Sequence, residues 1–471
     1  MENKIDKLDK EIVSEILIKN RCYKNLWTLC DFGTRFAGKP GERLAREFII
    51  NELKTYGLEP KIEPFKHLAW KRGTAKLEVL KPIKRELVTI SLAGCPSTEP
   101  DGVTGEILDV GNGTPAEFES VKGEIKEMIV LSSSLAPTVE CNPPRQCHRR
   151  TKYGRAVEFG AKAFIFMNSQ PGMLPQTGSL RQNRLGEIPA VTVPFEEGEL
   201  IKRSLKKGQI KIRITVENES FKNSTSNIVV EILGKNEDEV ILIGGHYDCH
   251  DNSPGAQDNG TGVVSLLELA RILASSGVEF EKTIRFVFFG VEELATVGSS
   301  FYVLDNRDDL KKIELMMNLD SPGAQGGKTF DAGGFDDLGR FIHNVSKEIS
   351  YPMKISKPSF GSDSLPFILR GIPSVSIKKS QSPGLFSYKG PITFEDRGWG
   401  HTSGDTPDKI TPAQINEGAI IAGRVLIRAA DYKGVIAKHR TEEEVRKILE
   451  KHGMDEVLFY MKYPNIPIWP W

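Results

Sequence analysis

A histidine and a carboxylate two residues apart, His246 and Asp248, follow an apolar run, Val240–Ile243, that Gly244 and Gly245 bring to a close. The run reads as a buried strand, so both side chains emerge at its carboxyl end. Asp258 comes next, in Gln257-Asp-Asn-Gly-Thr-Gly262, and an apolar stripe from about 261 to 273 has the spacing of a helix packed on a sheet. The arrangement recurs. Thr283–Phe289 leads to Glu292 and Glu293, Leu315–Leu319 leads to Asp320, and a Gly-rich loop before the last long helix holds His401 and Asp405. Singly these residues are ordinary: a histidine at a strand end is usually a satisfied polar residue, a Glu-Glu pair a solvated face, an aspartate after a strand a helix cap. Jointly they would converge at the carboxyl edge of a parallel sheet, where α/β folds hold their chemistry. Burying that many acids without a cation costs several kcal/mol apiece, and divalent metal removes the cost. Mixed imidazole and carboxylate donors suit zinc, with cobalt or manganese as competitors. Five ligands exceed one tetrahedral site, so two ions sharing a carboxylate fit better than one. Of Glu292 and Glu293, one can ligate while the other serves as a base.

These residues need elements to position them. Residues 227–233 and 240–243 read as a hairpin, and strand–helix alternation follows to about 430: strands Thr283–Phe289, Leu315–Leu319 and Ser374–Ile377, helices Asp337–Ile349 and Pro412–Ala430. Such alternation predicts an α/β domain of three layers over 217–434, with a mixed, mostly parallel sheet. Residues 1–76 carry two amphipathic helices and begin that domain. The loop Thr34–Gly41 between them is a helix connection that can also line the cleft. From 77 to 216 short strands crowd together around one clear helix, Tyr153–Gly160, which predicts a small β-rich insert without ligands of its own. Residues 435–471 hold a charged helix, Glu442–His452, and a Pro-rich end, Tyr463–Trp471, which packs on the body or contacts another subunit.

Composition narrows the class. At 471 residues the chain exceeds what one core usually supports. Lys+Arg and Asp+Glu are each 63, so no net charge draws it to nucleic acid or an acidic membrane. No apolar run approaches the roughly 18 residues of a membrane span, and no signal-peptide core follows the charged opening residues. The six cysteines form no CxxC pair. Cys141 and Cys147 are near enough to bridge, but free thiols in a cytoplasmic protein are the expectation.

The motifs His246-x-Asp248, Asp258-Asn-Gly-Thr-Gly262, Glu292-Glu293, Asn318-Leu-Asp320 and His401-Thr-x-x-Asp405-Thr resemble those of the co-catalytic dizinc exopeptidases, the bacterial leucyl aminopeptidase and plasma glutamate carboxypeptidase (carboxypeptidase Q) type. The likeness covers about 20–60 and 225–430. Val157-Glu-Phe-Gly-Ala-Lys-Ala163, Gln170-Pro-Gly and Ile188-Pro-Ala-Val-Thr-Val193 make the insert similar to a protease-associated domain. The resemblance implies two Zn2+ per chain: His246 and Asp320 on one, Glu293 and His401 on the other, Asp258 bridging. It also implies Glu292 as general base, Asp248 orienting His246, Asp405 doing the same for His401, and a cis peptide after Asp258. Ser364 departs from the histidine common at that place, which concerns the pocket wall.

The implied activity is hydrolysis of a terminal bond of short peptides, aminopeptidase or dipeptidase ahead of carboxypeptidase. A carboxypeptidase needs a cation for the substrate carboxylate, and Lys378, Lys379, Lys389 and Arg397 are the candidates. Other amide chemistry on the same metals is a rival. A catalytically dead scaffold is a weaker one, because every ligand position is filled. The insert is expected to restrict large substrates and offers a homodimer surface.

Overall fold

The computed structural model describes residues 4–19, 21–135, 147–324, 326–379 and 399–461. Four parallel strands form its centre, in the spatial order Ser374–Lys379, Ile313–Leu319, Asn236–His246 and Lys282–Phe289. In the last three the inner stretches are aliphatic or aromatic at almost every position, as strands covered on both faces must be, whereas Ser374–Lys379 alternates Val375 and Ile377 with polar residues. Alternation sorts those side chains. Ile241, Ile243, Phe286, Phe288, Leu315 and Met317 join the main core with helices Thr261–Ser275 and Pro412–Ala430. Val240, Leu242, Val287, Phe289 and Met316 face a second cluster with Tyr302 of helix Val297–Asp305 and Phe367 of helix Ser364–Ile368. Three layers result, each fully buried aliphatic contributing roughly 1.5–3 kcal/mol. Antiparallel neighbours, Lys328–Asp331 and Lys211–Ile232, make the sheet mixed. Phe289 pairs with His246 and Asn318 with Gly244, so the ligand-bearing strands end at one edge.

Residues 227–233 and 240–243 do not form the expected hairpin. Both lie in strands, but Lys282–Phe289 runs between them, antiparallel to the first and parallel to the second. Period-two patterning marks a strand without naming its partner. Gly234 makes the detour possible, since a Cβ there would fall 2.3 Å from the Lys282 carbonyl carbon. The amino-terminal region likewise holds three helices, Lys4–Lys19, Arg21–Asp31 and Pro40–Thr55, where two were expected. Asp9 of the first pairs with Arg424 and Arg428 of helix Pro412–Ala430 at 2.7–2.9 Å, joining elements more than 400 residues apart in sequence.

Lys61–Lys81 and Lys211–Ile232 pair from Lys61 opposite Val229 to Lys81 opposite Lys211, and run unbroken through positions 77 and 216. Beyond them the sheet continues through Val103–Asp109, Ile129–Ser133, Ala163–Met167, Ala190–Val193 and Ile90–Ser91. Helix Arg149–Glu158 answers the one expected there, and Pro115–Ser120, Lys122–Ile125 and Phe195–Leu205 add to it. The Pro115–Ser120 helix starts on a capping box between Thr114 and Glu117, a signal present in the sequence. Cys22, Cys30, Cys95, Cys147 and Cys249 are buried free thiols. Cys141, Lys389, Arg397 and Tyr463–Trp471 lie outside the described residues. Among those described, no helix is long and apolar enough to cross a membrane.

Candidate metal centre

Asp258 sits between two imidazoles. Its Oδ1 is 3.3 Å from His246 Nε2 and its Oδ2 is 3.2 Å from His401 Nε2. His246 Nε2 is also 3.7 Å from Asp320 Oδ1, and His401 Nε2 is 3.3 Å from Glu293 Oε2. Donors about 2.1 Å from a common tetrahedral ion stand about 3.4 Å from one another, which matches this spacing. His246 Nε2 and Glu293 Oε1 are buried without a hydrogen-bond partner among the described residues. Orphaned donor atoms of this kind need an occupant other than protein. The residues present therefore fit divalent metal, and all five expected ligands are gathered.

The charge balance points the same way. Burial and the neighbouring carboxylates Asp258 and Glu292 push Glu293 well above the ordinary glutamate value. Glu292 is pushed up to about 7, first by burial and then, against the opposing pull of His246, by Asp320 and Asp248. Asp258 is partly desolvated too, yet His246 and His401 hold it well below its usual range. Burial would discharge His246, but Asp248, Asp258 and Asp320 raise it well above an ordinary imidazole. Carboxylates outnumber cations here, and divalent ions correct the imbalance.

Local backbone aims the ligands. Asp248 accepts the Glu292 and Glu293 amides, at 3.0 and 3.1 Å, on separate oxygens and also stands 3.4 Å from His246 Nδ1. It therefore holds the Glu-Glu turn as well as the imidazole. The peptide Asp258–Asn259 is cis, as expected. Asn259 donates to the carbonyls of His246 and Leu319 and accepts from Ser321 and Gly262, lacing together three ligand-bearing segments. Val291, Ala295, Thr296, Ser321 and His401 all have φ between 57° and 75°, strain concentrated where ligands are presented.

Four features escaped the sequence reading. Asp405 does not orient His401; its oxygens accept the Gln257 and Asp258 amides at 2.6 and 3.1 Å. His401 Nδ1 faces instead the carbonyl of Thr177, 3.1 Å away in the insert, and the Thr177 amide donates to the His401 carbonyl at 2.8 Å. Arg35, fully buried, donates to the carbonyls of Tyr247, Pro254 and Gly255 and so pins the loop between His246 and Asp258. His250, in that loop, places Nε2 2.8 Å from Glu293 Oε2. Arginine in a loop and a carbonyl acceptor carry no residue signature, and only the imidazole could have been flagged from its type. Ser364 is buried, its hydroxyl 3.1 Å from that of Ser376. Beside it Asp363 is buried and pushed well above an ordinary aspartate, first by that burial and, against His246, by Glu292.

Residues 227–425 match the sequence profile of peptidase family M28, and residues 83–201 match the PA domain. Residues 227–425 thus form a peptidase family M28 domain. The M28 segment contains His246, Asp248, Asp258, Glu292, Glu293, Asp320 and His401, and the PA segment contains Thr177. Aminopeptidase YwaD of Bacillus subtilis is 28% identical over 433 residues, spanning 90% of this chain and 86% of that protein. Human carboxypeptidase Q is 26% identical over 436 residues, spanning 89% and 87%. The crystal structure of BSAP, a zinc aminopeptidase from Bacillus subtilis, superposes with a TM-score of 0.65 at 25% identity, covering 89% of this chain and 97% of that one. An M28 peptidase precursor from Shewanella amazonensis shares the fold at a TM-score of 0.75 and 22% identity, covering 92% and 98%.

Proposed function

We propose that this M28 peptidase is a zinc-dependent exopeptidase of short peptides, holding two zinc ions at the edge of its sheet. The observation that carries the reading is the split of Asp258, whose two oxygens face different histidines. His246 and Asp320 would complete one ion, Glu293 and His401 the other. Zinc bound there supplies Lewis acidity for the scissile carbonyl and makes water nucleophilic near neutral pH; cobalt or manganese can take its place. Glu292 is the general base: its neighbour Glu293 belongs to the ligands, and Asp248 fixes the turn so that the two carboxylates diverge. It takes the proton of the attacking water and delivers it to the leaving amine.

Cleavage from the amino end is favoured. Lys378 pairs with Asp331 at 2.8 Å, so it is committed elsewhere and does not wait for a substrate carboxylate. Of the named relatives, one is an aminopeptidase and one a carboxypeptidase, which leaves the choice to experiment. Metal content should be measured on purified protein together with hydrolysis of free and N-acetylated di- and tripeptides. Two metals per chain and release of the first residue, abolished by acetylation, support the proposal. Cleavage of acetylated substrates from the carboxyl end replaces it with a carboxypeptidase, and a chain that binds no metal sinks it.

A further inference from the structure

His250 is a third buried imidazole at the site, and no expected ligand role covers it. Its Nε2 approaches Glu293 Oε2 to 2.8 Å, yet that nitrogen has no hydrogen-bond partner among the described residues, and neither has Nδ1. The approach thus lacks the direction of a hydrogen bond. The cleft's buried atoms in the same condition include His246 Nε2 and Glu293 Oε1, both donors to the proposed zinc ions. Ligand atoms of His250, Glu293 and His401 lie within 4.8 Å of one another, as do those of His246, Asp258 and Asp320.

The ring is also built in place. Thr34 Oγ1 donates to the His250 carbonyl at 3.0 Å, and Arg35 holds the loop on either side. Phe36 stacks on the imidazole at 5.9 Å and 23°, while His401 meets its face edge-on at 4.2 Å. His246 and His401 each have a polar partner at Nδ1 to fix the ring. For His250 the two aromatic contacts do that job. A loop residue held by its own carbonyl, by stacking and by a neighbouring ligand is positioned for something, and its free nitrogen points among metal donors.

We propose that His250 is a sixth metal ligand, joining His401, Glu293 and Asp258 around one ion. This rests on the dizinc reading above. That ion then has two imidazoles, whereas the other has only His246 beside carboxylates. Zinc binds imidazole more readily than carboxylate alone retains it, so the two sites differ in affinity and the ion beside His250 leaves last.

Three measurements test this on the full-length protein. With both sites filled, zinc-edge X-ray absorption should count about 1.5 imidazoles per zinc instead of about 1. Chelator titration of the wild type should remove zinc in two steps, the first at a chelator concentration at least roughly tenfold lower. His250→Ala and His250→Phe, the latter keeping the stack on Phe36, should weaken the tighter ion by roughly 100-fold or more, so that the late release step of the wild type is lost, with folding checked by circular dichroism. If neither variant folds, the imidazole count of the wild type decides alone. A count near 1 with unchanged zinc release in folded variants overturns the inference while leaving two zinc ions in place. A wild type that binds no zinc overturns the dizinc reading itself, a separate result.

Discussion

At the scale of single residues, Glu292 and Asp258 separate by what their loss removes. Glu292→Gln keeps the shape and takes away the proton acceptor. We expect it to hold its full zinc complement, by elemental analysis, while kcat falls by about 10²–10⁴-fold. Turnover near the wild-type rate would show the base to be another group. Asp258→Ala removes the carboxylate that faces both histidines. It should lose metal and thermal stability together, since metal binding at such a site is also folding free energy. The types, order and spacing of His246, Asp258, Glu293, Asp320 and His401 made the gathering legible before any coordinates. His250 was not legible, because a loop has no period that says which way its fourth residue turns. Asp405 was misread for a related reason: a carboxylate near a histidine in sequence is free to turn toward amides, and here it does.

At the scale of elements, the loops are held by parts of the chain far from the ligands. Arg35 serves three carbonyls of the loop carrying His250 and leading to Asp258. Arg35→Ala leaves those buried acceptors without a charged donor, and we expect a loss of at least about 3 kcal/mol together with weaker zinc binding. Denaturant unfolding and a zinc competition assay measure both, and an unchanged zinc affinity would mean that the loop holds its shape unaided. Thr177 acts on His401 through backbone atoms, while its buried hydroxyl accepts from Arg72 at 3.0 Å, so Thr177→Val should cost stability and yet leave zinc affinity nearly unchanged. Gly178→Ala should change that affinity, for its φ is 150° and a Cβ there would lie 2.0 Å from Arg149 Cζ. We expect it to lower zinc affinity about tenfold by displacing the carbonyl on His401. Strands and long helices were legible from periodicity over 227–430. The hairpin failed because pairing depends on which strand intervenes, information that 50 residues of later sequence supply.

At the scale of the whole molecule, the acids at the sheet edge make the metal-free protein sensitive to pH. Burial lifts Glu292 and Asp405 to about 7, from ordinary values of 4.5 and 3.8. Between those limits the folded chain keeps protons that the unfolded chain has released, so stability falls as pH rises through about 4 to 7. His250, kept well below its ordinary value by burial and His401, pulls the other way below 6.5, but it stands against Glu292, Asp405 and the likewise raised Glu293 and Asp363. Zinc-free protein should therefore melt a few degrees lower at pH 8 than at pH 5.5, and added zinc should abolish the difference. A melting point that rises with pH in the zinc-free protein would contradict this charge balance.

The tie from Asp9 to Arg424 and Arg428 has a consequence in time. A chain is made from residue 1 onward, so the first helix emerges long before the arginines that receive it. His401 is late as well, and it is the histidine facing the second oxygen of Asp258. A chain still being synthesised before that point lacks His401 and the arginines that receive its opening helix, while His246, Asp258, Glu293 and Asp320 are already made. Docking of the opening helix and completion of the candidate metal site are therefore both late events of synthesis.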